Sequence, residues 1–208
     1  SSKGIMSMKV YKRGTVSMRM RVWSKGRNKF LAKILRPSRL RGMATLKSGA
    51  NLWNYLPRQD RIMKLGSSMM GGSWMGSHFT NDDLVKESRM AQDYTFKVVF
   101  QGERDGKKVM EIDCRPKPTA AVVWGKVLVT VWQDRYLPLV IRYFDEDLKL
   151  ARTMDFDKIT DFGDRRLPAV VTVTPADKPK ESTEVSYHSL SFNQPVPDST
   201  FSIRNLTR

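Results

Sequence analysis

The strongest constraint in this chain is strict alternation at period two near its start. Met6, Met8 and Val10 share one parity while Ser7, Lys9 and Tyr11 hold the other, and Val16, Met18, Met20 and Val22 repeat the pattern against Thr15, Ser17, Arg19 and Arg21. Successive side chains on a strand point to opposite faces, so this is the signature of half-buried strands. Lys12-Arg13-Gly14 and Ser24-Lys25-Gly26 supply hairpin turns, after which Phe30, Ala32 and Ile34 alternate with Lys29, Leu31 and Lys33. An antiparallel meander follows, with a Met-rich apolar face backed by Lys and Arg.

The pattern continues. Leu40 to Leu46, Leu52 to Leu56 and Arg61 to Leu65 read as further strands, and from Tyr94 onward come Thr95 to Gln101, Val109 to Cys114, Val122 to Trp132, Leu137 to Phe144, Lys149 to Phe156, Ala169 to Thr174 and Thr183 to Leu190. Asn81-Asp82-Asp83-Leu84 starts a short helix with acids in its first turn. The tail Pro197 to Phe201 either begins a terminal helix or lies along the sheet. About ten strands with so little helix predict a mainly β fold, one curled antiparallel sheet in a single domain spanning 1–208.

Charge is distributed unevenly along the 208 residues. Residues 1–65 hold 17 Lys and Arg and one acid, Asp60, whereas residues 66–208 hold 20 of each sign, so the net +16 resides in the first third. The cations Lys9, Arg19, Arg21, Lys29 and Lys33 fall on the face opposite the methionines, either as a solvated surface or as a face for an anionic membrane or protein partner. Nucleic acid is disfavoured: no RNP-like, KH-like or finger spacing is present, and the aromatics do not share strand faces with the cations.

Two apolar sets invite a ligand. Met6, Met8, Met18 and Met20, with Phe30 and Ile34, form an adaptable surface suited to flexible acyl chains, or else an ordinary core. Between Gly66 and Phe79, glycines are interleaved with Met69, Met70, Trp74, Met75 and Phe79. Such side chains need cover, so the stretch is expected either to close over a cavity as a lid, about residues 66–90, or to cap the core permanently.

Catalytic and metal patterns are weak. His78 and His188 have no partner at ligand spacing, and Asp155, Asp157, Asp161 and Asp164 lack calcium-loop spacing and read as an exposed strand edge. No P-loop, dinucleotide or nucleophile-elbow motif occurs, so no cofactor and no enzyme activity are expected. Cys114, the single cysteine, reads as a buried strand residue. No run of 18 apolar residues exists to span a bilayer, and Ser1-Ser2-Lys3-Gly4 is not a signal peptide, which is expected to have been removed.

At Leu52-Trp53-Asn54-Tyr55-Leu56-Pro57, Arg61-Ile62-Met63-Lys64-Leu65 and Gly76-Ser77-His78-Phe79-Thr80-Asn81-Asp82-Asp83-Leu84, the chain resembles the outer membrane lipoprotein-sorting family of LolA/LolB-like carriers. The resemblance is strongest over residues 40–90. It implies an unclosed half β-barrel with a short helix and loop lid, in the periplasm of a Gram-negative bacterium. There it would shield lipid or lipoprotein acyl chains between membranes, in association with an RND/MMPL-type or ABC-type exporter. It also implies an arginine that locks the lid, for which no position stands out here. The competing expectation is a non-carrier accessory module that docks its basic face on a transporter or anionic membrane.

Overall fold

The computed structural model describes residues 1–86 and 90–207. Within the lid segment expected at 66–90, residues 87–89 lie outside the described residues.

Thirteen strands form one antiparallel sheet. The first six are β1 (Ser2–Tyr11), β2 (Thr15–Lys25), β3 (Lys29–Arg36), β4 (Ala44–Ser48), β5 (Asn51–Leu56) and β6 (Arg61–Lys64). The other seven are β7 (Tyr94–Arg104), β8 (Lys107–Pro116), β9 (Lys126–Trp132), β10 (Leu137–Phe144), β11 (Leu150–Asp161), β12 (Arg166–Pro175) and β13 (Ser182–Phe192). Their order is β6-β5-β4-β3-β2-β1-β13-β12-β11-β10-β9-β8-β7. Two meanders are thus joined where the first and last strands pair, Met8 opposite Val185 and Val10 opposite Thr183. Gly4 sits at this seam because a side chain there would collide with the Ser189 carbonyl, 2.2 Å from an added Cβ.

This order dictates the path of the lid. β6 and β7 are the two free edges of an unclosed half-barrel, so the chain between them must travel from one edge to the other. It does so across the concave face. Two short helices mark the route, α1 (Asn81–Lys86) and α2 (Met90–Asp93). α1 opens with a capping box, Asp83 N–H donating to Thr80 Oγ1 at 3.2 Å and Thr80 N–H to Asp83 Oδ2 at 2.7 Å.

Register decides which residues are inside. Met6 pairs with Met20 and Met8 with Met18, and Ile34 and Ala32 oppose Met20 and Val22. These residues form the main buried cluster, closed from above by Trp74. The opposite face of β3–β5 is covered as well. There the C-terminal tail, ending in α3 (Ile203–Leu206), packs Val196, Phe201 and Leu206 on Leu31, Ala44, Leu46 and Tyr55.

Three local expectations differ from the structure. The strand expected over Leu40 to Leu46 begins only at Ala44, because Ser38–Leu40 forms a 3-10 turn and Gly42 takes φ +86°, a turn conformation. The strand expected from Val122 begins at Lys126, after a loop that follows the end of β8 at Pro116 and contains Pro118, which donates no backbone hydrogen bond. Asp155 lies on β11 where it is paired on both sides by β10 and β12 and is no edge, whereas Asp157 and Asp161, farther along β11, are exposed and pair only with β12. Among the described residues no group of three or more His, Cys, Asp or Glu is placed to hold a metal ion.

Candidate functional site: a lidded cavity on the concave face

Beneath the lid lies a cavity of about 960 Å³, near the upper end of the roughly 300–1,000 Å³ typical of small-molecule sites. One wall is the lid, through Trp74, Phe79, Leu84 and Met90. A second is the C-terminal half, including Trp124, Tyr143, Met154, Phe156 and Val171, and the margin of the first meander, at Met6, Val22 and Phe30, completes the lining.

Of the residues expected to meet an acyl chain, Met6, Phe30, Trp74 and Phe79 line this cavity. Met8, Met18, Met20 and Ile34 do not. They are fully buried under the lid, with Met75 and Phe79 packed on the same cluster. Met70 packs elsewhere, against Leu52, Leu65 and Val85, and Met69 is exposed. Most of the methionine face is therefore the seat of the lid, and the open volume begins at its margin, at Met6, Val22 and Phe30, and extends over the C-terminal meander.

The lid is held by polar groups that the sequence does not advertise. The concave face buries Thr45 (0% exposed), Lys47 (4%), Arg152 (4%) and Thr183 (0%), and each contacts the lid. Trp74 Nε1–H donates to Thr45 Oγ1 at 3.0 Å, and Thr45 donates onward to Asn54 Oδ1 at 2.7 Å. His78 N–H donates to Thr183 Oγ1 at 3.0 Å, and its ring lies 3.2 Å from the Glu181 carboxylate. Lys47 Nζ reaches the Val85 carbonyl at 3.4 Å and the Arg27 carbonyl at 2.9 Å.

The strongest latch is Arg152. Its Nη1 and Nη2 donate to the two Asp83 oxygens at 2.7 and 2.6 Å, a bidentate charge-assisted pair. The guanidinium lies over Tyr143 at 4.3 Å and Trp124 at 4.8 Å. Burial works against its charge, but the hydrogen bond and charge of Asp83, with Tyr143 adding to both, more than offset this, and its pKa is raised. The sequence carries one usable sign of this residue: Arg152 shares the strand parity of Met154 and Phe156, so a cation occupies an apolar register. Lys47 is a second such case.

The basic face divides into two groups. Lys9, Arg19 and Arg21 are exposed on the outer surface. Lys29, with Lys25, pairs with Asp198 of the tail at 2.9 Å, and Lys33 donates to the Asn205 carbonyl. Desolvation lowers the Lys33 pKa. Like charges face each other across β2 and β3, Arg19 opposite Arg36 and Arg21 opposite Lys33, an arrangement that costs stability.

Cys114 is buried, as its strand position suggests, and desolvation followed by the Asp113 charge pushes its thiol up to about 11. It is a packing group, protonated at neutral pH. No described helix is long and apolar enough to cross a membrane, which leaves membrane crossing by strands unaddressed.

A family model whose description reads "Uncharacterized protein" matches residues 26–208. No curated protein matches the chain. Among solved structures, a putative outer membrane lipoprotein-sorting protein domain from Vibrio parahaemolyticus has 23% identity and a TM-score of 0.85, over 100% of this chain and 91% of that one. A DUF1329 family protein from Desulfovibrio piger has 18% identity and a TM-score of 0.89, over 99% and 90%. A LolA superfamily protein from Nitrosomonas europaea has 18% identity and a TM-score of 0.80, over 99% and 91%. The unclosed sheet is the fold that the sequence resemblance implies.

Proposed function

Since this chain belongs to the family whose model spans residues 26–208 and has the fold of lipoprotein-sorting domains, we propose that it is a carrier of acyl-bearing ligands. It acts as one domain in the periplasm of a Gram-negative bacterium, shielding a lipid or lipoprotein between membranes, with residues 66–90 as its lid. No covalent chemistry is required.

The observation that carries this reading is the lid itself. A cavity of about 960 Å³, walled by Phe156, Val171, Met154 and other apolar side chains, is closed by a segment held at buried polar contacts. Such contacts can be exchanged for water or ligand, whereas a lid meant to stay shut is better sealed by apolar packing. Acyl chains occupy the C-terminal half of the concave face, and Met8, Met18, Met20 and Ile34 serve as the lid's seat. At about 25 cal/mol per Å² of apolar area, partial burial of one chain contributes several kcal/mol, enough for capture and still reversible.

Native mass spectrometry of protein purified without detergent, followed by extraction and lipid identification, tests this directly. About one lipid per chain is expected, as a single cavity requires. A ligand-free mass that persists after incubation with bacterial lipid extract overturns carriage.

A second reading has its own observation. The like-charged pairs Arg19–Arg36 and Arg21–Lys33 are tolerated at a stability cost, which suits a face that docks on an anionic membrane or on an RND/MMPL-type or ABC-type exporter. Reversing Arg19 and Arg21 to Glu abolishes such docking and leaves lipid content unchanged.

A further inference from the structure

Arg152 is bound in this closed state to an anion that belongs to the lid. Its fork holds the Asp83 carboxylate through Nη1 and Nη2, and its third edge, Nε, is buried with no hydrogen-bond partner among the described residues. Both carboxylate oxygens are already committed, Oδ2 also accepting from Thr80 N–H. A phosphate has a further oxygen to offer such an idle donor.

Arg152 does not itself line the cavity, but its neighbours place it directly behind the wall. Asp83, Trp124, Tyr143 and Met154, which ion-pair with it, stack on it or follow it along β11, all line the cavity. The charges lining the cavity are also segregated. Of its acids, Asp82 and Asp83 belong to the lid segment and Asp93 to the end of α2, directly before β7, whereas its cations, Arg27, Lys29 and Lys47, belong to the sheet and its turns. Lifting the lid carries Asp82 and Asp83 away and leaves Arg152 behind. A buried charge deprived of its partner is strongly unfavourable, so an open state with a neutral ligand strands the guanidinium. An anionic head group replaces Asp83 and removes that penalty.

We propose that Arg152 is the head-group site of the carrier, taking the phosphate of an anionic acyl amphiphile in exchange for the Asp83 carboxylate as the lid opens. This rests on the carrier reading above and adds the class of cargo. It also couples recognition to opening, because only a ligand that brings its own anion stabilises the open state over the closed one.

The test uses lipid-stripped, full-length protein and three probes followed by calorimetric titration: dodecyl phosphate, monolaurin of equal chain length, and inorganic phosphate. Dodecyl phosphate is expected to bind on the order of tenfold tighter than monolaurin, the size of one charge-assisted hydrogen bond. Inorganic phosphate at millimolar concentration is expected not to bind. Arg152→Gln brings the two amphiphiles to equal affinity. Asp83→Asn frees the fork and widens their ratio, and it decides the matter if the Arg152 variant does not fold. Equal affinities in the wild type, or a ratio unmoved by Asp83→Asn, overturn the head-group site while leaving carriage intact. Failure of both amphiphiles to bind overturns carriage itself, and inorganic phosphate binding as tightly as dodecyl phosphate reduces the site to one for free anions.

Discussion

The two meanders of this sheet are built from the same alternating strands and end in opposite conditions. In the first meander the concave side is covered by the lid over Met8, Met18 and Met20, and over β3–β5 the outer side is covered as well, by the tail over Leu31 and Leu46. In β7–β13 the concave side faces open volume, and the opposite side carries ion pairs such as Arg104–Glu111 and Arg115–Asp113, each with a half-exposed arginine on a largely buried carboxylate. An apolar strand face therefore becomes core or binding wall according to what lies on it. The first meander is the anchor against which the second can stay unfilled.

The largest expected effect tests the latch between the two. Asp83→Ala leaves the Arg152 guanidinium buried without its carboxylate, a change that typically costs about 3–5 kcal/mol. The lid can relieve this by lifting, so the expected signature is loss of hydrogen-exchange protection at Trp74, Asn81 and Asp82 ahead of the sheet. Uniform loss across sheet and lid would mean that the lid is an inseparable part of the core.

Next comes the seat. Met20 is fully buried, and Met20→Ala is expected to cost about 2–5 kcal/mol in urea denaturation while leaving the lipid load of the folded protein unchanged. Loss of lipid without loss of stability would move the site back to the methionine face. The converse substitution is Val171→Phe in the unfilled half, which has room for the larger ring and is expected to change stability by less than about 1 kcal/mol. Its bound lipid, measured by native mass spectrometry, should fall. A stability loss comparable to that of Met20→Ala would erase the distinction between the halves.

Much of this division was legible in the sequence. The alternation of Met6 to Ile34 identifies the inner face, and the crowding of Met and Trp among glycines over 66–79 identifies a segment that must lie on something apolar. Pairing of β1 with β13 was not legible, because partners such as Met8 and Val185 carry no local signal of each other. The half of the face left open was hidden for the same reason. It depends on where the lid rests, and Trp74 is directed by an acceptor, Thr45, on a strand whose start Gly42 displaces. Arg152 is hidden because polar residues in a strand ordinarily form its solvent face; a cation in the apolar register is the one sign of it.

The smallest effect concerns the outer cover of the first meander. Hydrogen bonds from Lys25 and Lys29, followed by their charges, hold the exposed Asp198 carboxyl below its ordinary value. A carboxylate whose pKa is lower folded than unfolded stabilises fully above the unfolded value of about 3.9, and that contribution disappears as pH falls through the folded value. Asp198→Asn removes it at every pH. Urea denaturation of the two proteins should therefore show a modest gap at neutral pH that closes in acid, as pH falls through the lowered folded-state value and the wild-type carboxyl is protonated as well. A gap that survives acid would assign the tail's attachment to contacts other than this ion pair. A gap that closes, with the tail still docked through Val196, Phe201 and Leu206, would show that the outer cover, unlike the lid, is held chiefly by apolar packing and is not built to exchange.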